Sequence, residues 1–200
     1  MDWFSKIFTS IPCGIADWTQ IWGDPLLSGT VFMIGYGLAG VLMLRIAART
    51  VGRERWLWRI CGWLFVFQVA NTHLDMHALV VSYGRCLARA QGWYQGRHDI
   101  QLVVLIGALA LAAAIILGGL VVFYRNILGN ALLVLGVTVA LGLTVVKAIN
   151  YHHIEHFYVG VFGQFRGADL IELSGVALAL IAALLKWRGL RDSVAAAAEK

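Results

Sequence analysis

Apolar runs of about 20 residues, separated by short basic or polar links, dominate this chain, and about 20 residues of helix match a hydrocarbon core of roughly 30 Å. Five such runs are readable: Leu26–Leu44, Trp56–Val81, Leu102–Tyr124, Ile127–Val146 and Leu170–Leu185. The fourth is expected to continue as helix past Asn150, and the fifth is short enough that it can begin earlier. With 60% hydrophobic and only 14% charged residues among 200, too little polar surface remains for a soluble domain of this length. The expected fold class is therefore an all-α integral membrane protein with five transmembrane helices.

Placement of the basic residues sets an expected orientation. Arg45, Arg49, Arg53, Arg55, Arg59, Arg125, Lys186, Arg188, Arg191 and Lys200 fall on one side; Lys6, Arg85, Arg89, Arg97, Lys147 and Arg166 fall on the other. The richer side is assigned to the cytoplasm, with the N-terminus outside and the C-terminus inside a bacterial inner membrane. The net charge of +5 then reflects topology, and nucleic acid is not an expected partner. Most acids, including Asp75, Glu155, Asp169 and Glu172, fall at the outer side. The start Met1–Lys6 lacks the basic region and apolar core of a cleavable signal. Phosphate-loop, dinucleotide and Gly-x-Ser-x-Gly signatures are missing.

The chain divides into residues 1–25, 26–190 and 191–200: an interfacial N-terminal segment, a five-span domain and a cytoplasmic tail. In the first, Trp3, Phe4, Ile7, Phe8 and Ile11 recur at helical spacing, which suits an amphipathic helix lying on the outer leaflet. Such a helix serves as an anchor, as a lid, or as a docking surface.

All six histidines fall toward the outer side: His73, His77, His98, His152, His153 and His156. If span two is continuous, His73 and His77 are one turn apart on one face, as are His152 and His156 if span four continues. Ionisable groups near lipid are costly and usually mark a site. Imidazoles with carboxylates and no thiolate suit zinc, iron or copper. The metal candidates are His73, His77, His152, His153 and His156. Asp75, Glu155 and Glu172 are candidates for general bases, further ligands, or groups that orient a ligand imidazole. The plainer reading makes these histidines helix caps and inter-helix hydrogen-bond partners. A single b-type haem, or a chlorophyll-type pigment, could draw one histidine from each of two facing helices but ranks below a simple metal, and a stacked di-haem pair has no histidines at the inner side.

On these residues the chemistry expected of an enzyme is metal-assisted attack on a lipid or small apolar substrate. The rival is a non-catalytic subunit of a larger respiratory or photosynthetic membrane complex. A metal transporter would need ionisable groups through the bilayer centre, where spans one, three and four are nearly bare. Arg85, Arg89 and Arg97 break the charge rule; Asp75, Asp99, lipid phosphates or an anionic headgroup would partner them. Cys13 and Cys86 both fall outside and can form a disulfide if the fold brings their Cα atoms close enough.

The run Asn71-x-x-Leu-Asp75, Gly84-Arg85, Gln91-Gly-Trp-Tyr94, the His-His end of span four and Leu-Ile-Glu172-Leu resembles a group of bacterial multi-pass membrane proteins with no assigned activity. The resemblance covers spans two to five and implies their fold. In that group positions 73 and 77 are often Gln and position 156 often Asp, which would make a metal site here a specialisation. His73-x-x-x-His77 and His152-His-x-x-His156 also resemble two histidine boxes of membrane di-iron desaturases and hydroxylases. Those enzymes carry more histidines, at the cytoplasmic face.

Overall fold

A computed structural model describes residues 3–19, 26–96, 107, 121, 123–126, 129–149, 160–162 and 165–198. Apart from one small hairpin, the regular structure is helical: α1 (Trp3–Thr9), α2 (Ile11–Thr19), α3 (Leu26–Arg49), α4 (Gly52–Leu74), α5 (Met76–Gln91), α6 (Ala131–Ile149) and α7 (Gly167–Ala198). A 3-10 turn spans Tyr94–Gly96. Strands β1 (Gly160–Phe162) and β2 (Phe165–Arg166) pair antiparallel and lead into α7.

Among the described residues, two helices are long and apolar enough to cross a membrane, Leu27–Arg49 and Gly167–Ser193, and Ala131–Thr144 is a shorter apolar stretch. The first and last expected spans are thus present as long apolar helices, the last extended at both ends. The third expected span lies largely outside the described residues, as does the helix expected beyond Asn150.

The second expected span differs from the sequence reading. It ends at Leu74 rather than Val81, because Asp75 adopts a left-handed conformation (φ 46°, ψ 51°). A single αL residue closes a helix, and Asp is among the few non-glycine residues that tolerate it. The Asp75 N–H still bonds to the Asn71 carbonyl, and α5 starts afresh with the Ala78 N–H on the Asp75 carbonyl at 2.8 Å. The corner is held from outside: the Trp18 indole N–H donates to the carbonyls of Leu74 (2.7 Å) and Asp75 (3.2 Å).

Beyond that corner α5 packs on α2. Gly14 permits the close crossing, since a Cβ there would sit 2.8 Å from the Tyr83 Cα. The Tyr83 hydroxyl donates to the Ile7 carbonyl at 3.1 Å. A disulfide joins Cys13 to Cys86 across this layer, with Cα atoms 6.0 Å apart. The pairing that the sequence left open is therefore formed.

In the bundle proper, α3 packs on α4 and α7, and α6 packs on α7. The core is built from Phe32, Tyr36, Met43, Ile46, Trp58, Phe65, Leu133 and Val176 with small residues between them. The α6–α7 contact is the tightest. Gly136 and Ala140 of α6 meet Gly175 and Ala179 of α7, and a Cβ on Gly175 would lie 2.6 Å from the Ala140 nitrogen. Small residues four apart on both partners are how helices approach backbone to backbone in lipid, where apolar burial gives no drive to associate.

Candidate functional site

Four helices of the bundle each contribute one polar side chain to a shared buried cluster. The Tyr36 hydroxyl of α3 donates to Glu172 Oε1 of α7 at 2.8 Å. Gln68 Nε2 of α4 donates to Thr144 Oγ1 of α6 at 2.6 Å. The two pairs adjoin, with the Gln68 and Thr144 side chains near the Tyr36 hydroxyl. Tyr36, Gln68 and Glu172 are buried, as is Asn71 one turn beyond Gln68. Phe65 closes the cluster from below, edge-on to the Tyr36 ring at 5.1 Å.

Helical rise puts three of the four residues at one depth. Gln68, Thr144 and Glu172 each stand five or six residues from their helix ends at Leu74, Ile149 and Gly167, which is about 8–9 Å in from the end of the bundle. A carboxyl group taken out of water needs hydrogen-bond donors to offset its lost hydration. Tyr36 supplies one of them. Such a group among apolar helices is the default mark of a functional site in a membrane protein.

Each residue expected from the sequence has a place or falls outside the described residues. Glu172 is in the buried cluster. Asp75 is the αL residue at the α4–α5 corner. His73 lies in the last turn of α4 and His77 in the first turn of α5, so the helix break at Asp75 falls between them. The shared-face argument for His73 and His77 needed an unbroken helix, and that spacing does not carry across the corner. His98, His152, His153, Glu155 and His156 lie outside the described residues, so convergence of the two histidine groups stays an expectation.

Among the described residues, Cys13, Asp17 and Cys86 form a donor group compact enough for an ion, with ligand atoms within 4.8 Å of one another. There the two sulfurs are bonded to each other, so the group is a covalent clamp between α2 and α5. A shallow groove of about 440 Å³ between α3 and α4, lined by Met33, Gly37, Val41, Val66, Val69 and Leu74, offers almost entirely apolar surface.

Tyr36, Gln68 and Thr144 were not singled out from the sequence. The available signal was a polar residue alone in an apolar run: Tyr36 in Met-Ile-Gly-Tyr-Gly-Leu, Gln68 in Phe-Val-Phe-Gln-Val-Ala, Thr144 in Leu-Gly-Leu-Thr-Val-Val. Such residues face other helices rather than lipid.

The fold and this cluster together define a class: a helical bundle with small-residue helix packing and a buried carboxylate near one end, with two helices of membrane-spanning length and composition among the described residues. No protein-family model, curated protein or solved structure matches the chain, so similarity adds nothing to that description.

Proposed function

We propose that this is a five-span bacterial inner-membrane protein that binds a transition metal at the outer end of its bundle. The observation that carries the proposal is the burial of Glu172, hydrogen-bonded to Tyr36, at the bundle end where α4 terminates and the backbones of His73, Asp75 and His77 turn. The donor chemistry fits zinc, iron or copper, with His73, His77, His152, His153 and His156 as the ligand set. Asp75, Glu155 and Glu172 would complete the shell, orient a ligand imidazole or accept a proton. Bound zinc would activate water for attack on a lipid or small apolar substrate; iron or copper would support oxygen chemistry.

The test is elemental analysis with an absorption spectrum of the purified protein. Stoichiometric metal is expected, and His77→Ala, His152→Ala and Glu172→Gln should each lower its occupancy. Protein with neither metal nor a haem or pigment band would end the proposal. A second reading, a non-catalytic subunit of a larger complex, is favoured by one observation. Phe4, Phe8, Ile11 and Ile15 form an exposed apolar stripe along α1 and α2, which suits a partner as well as a lipid surface. Co-purification with constant large partners would select it.

A further inference from the structure

The bundle end opposite Glu172 carries a collar of positive charge. α3 finishes there at Arg49, α4 begins at Gly52, and α7 passes Lys186 on its way to Ala198. Arg45, Arg49, Arg53, Arg55, Arg188 and Arg191 are exposed. Of the acids at this end, Glu54 is engaged by Lys186 at 2.6 Å.

Aromatic rings are built into the collar. The Arg49 guanidinium lies 4.0 Å over the Trp187 ring, which fixes the end of α3 beside α7, and the Arg59 guanidinium lies 5.2 Å over the Trp56 ring. Val51 is 84% exposed and Trp56 56% exposed between these arginines. In water such apolar groups would gain nothing from that position. At the boundary between headgroups and acyl chains, the rings and stems meet lipid while the guanidinium groups meet phosphate. Helical rise agrees: Arg45 and Arg49 stand about 27 and 33 Å from Leu27, and Lys186 and Arg188 about 29 and 32 Å from Gly167, against a hydrocarbon core of roughly 30 Å.

We propose that this collar binds the headgroup of an anionic phospholipid, its phosphate held by Arg49 and Arg188 at the α3–α7 junction with Arg45 one turn below. Planar guanidinium forks match phosphate oxygens two at a time. The proposal rests on α3 and α7 being membrane spans, and it is independent of any metal at the other end.

The experiment titrates the full chain in neutral detergent with phosphatidylglycerol, phosphatidylcholine or inorganic phosphate, and reads bound lipid by native mass spectrometry. Saturable binding of phosphatidylglycerol, well above phosphatidylcholine, is expected. Arg49→Gln with Arg188→Gln should weaken it by about fivefold per guanidinium, roughly 30-fold together. Arg45→Gln with Arg188→Gln should also weaken it while leaving the Arg49–Trp187 stack intact, which separates lost binding from lost folding. Arg166→Gln, on β2 at the other end of the bundle, should bind as the parent does. Equal retention of phosphatidylcholine, displacement of the lipid by equimolar inorganic phosphate, unchanged binding in both collar variants, or an equal loss in the Arg166→Gln variant would each overturn the proposal.

Discussion

Gly175→Ala is the smallest change that tests the bundle's tightest contact. The added methyl would stand 2.6 Å from the Ala140 nitrogen, 2.9 Å from the Gly136 oxygen and 3.1 Å from the Ala140 Cα. All three are backbone atoms, so no side chain can swing aside. Non-bonded carbon contacts are comfortable at about 3.5–4.0 Å, so α6 and α7 must part by roughly 1 Å. A gap of that size forfeits a quarter to a half of the dispersion energy along the facing surfaces. Overpacking of this kind costs about 1–3 kcal/mol. Gly142 of α6 is the internal control, because a Cβ there meets nothing within 4 Å. Gly142→Ala adds a better helix former and should be neutral or stabilising, by up to about 1 kcal/mol. The assay is reversible unfolding of the purified protein in mixed detergent micelles, following helicity. Opposite signs for the two glycines are expected. If Gly175→Ala unfolds at the same denaturant fraction as the parent, the α6–α7 crossing is not the close contact argued above.

Tyr36→Phe removes the donor from a buried carboxylate while keeping the ring against Phe65, so a loss of about 1–3 kcal/mol is expected in the same assay; an unchanged midpoint would mean Glu172 does not depend on that bond. Reducing the disulfide, or replacing Cys13 and Cys86 with Ser, opens a loop of 73 residues, for which chain entropy alone gives about 4 kcal/mol. Helices α3 and α4 lie within that loop and stay packed on each other when the clamp opens, so the measured loss should be smaller and confined to α1, α2 and α5. Hydrogen exchange should rise there and not in α7, and a uniform rise would contradict a local clamp. Glu54, ahead of the expected second span, is pushed up by partial burial but pulled further down by the Lys186 hydrogen bond and charge and by Asn130, so its pKa ends below the ordinary 4.5. A depressed carboxylate stabilises the fold fully above its unfolded pKa and loses that contribution as pH falls through the folded value. The gap in stability between parent and Glu54→Gln, about 1 kcal/mol or less for a partly exposed pair, should therefore be present at pH 7, shrink as pH falls below the unfolded carboxylate value, and close once pH is below the folded one; a gap that persists in strong acid would rule out the ion pair as its source.

Hydropathy made α3 and α7 legible because every residue of a long apolar run contributes to the same signal. The end of α4 was not legible for the opposite reason. One residue, Asp75, breaks the helix, with neither glycine nor proline beside it, inside a stretch already polar enough to pass for a helix end at several positions. The cysteine pair was legible as a possibility, but closeness of two Cα atoms 73 positions apart is a property of how α2 lies on α5. The Tyr36–Glu172 and Gln68–Thr144 pairs join positions 136 and 76 apart, and no local pattern links them. The histidines were legible as a count and as an expected side of the membrane. What the fold changes is the body to which each belongs. His73 lies in the last turn of α4, which is packed on α3 within the bundle, whereas His77 lies in the first turn of α5, which the disulfide and the Gly14–Tyr83 crossing fasten to α2. An ion shared by the two would have to bridge the bundle and the clamped layer. The αL turn at Asp75 and the Trp18 indole capping Leu74 then set its geometry, rather than the pitch of a single helix.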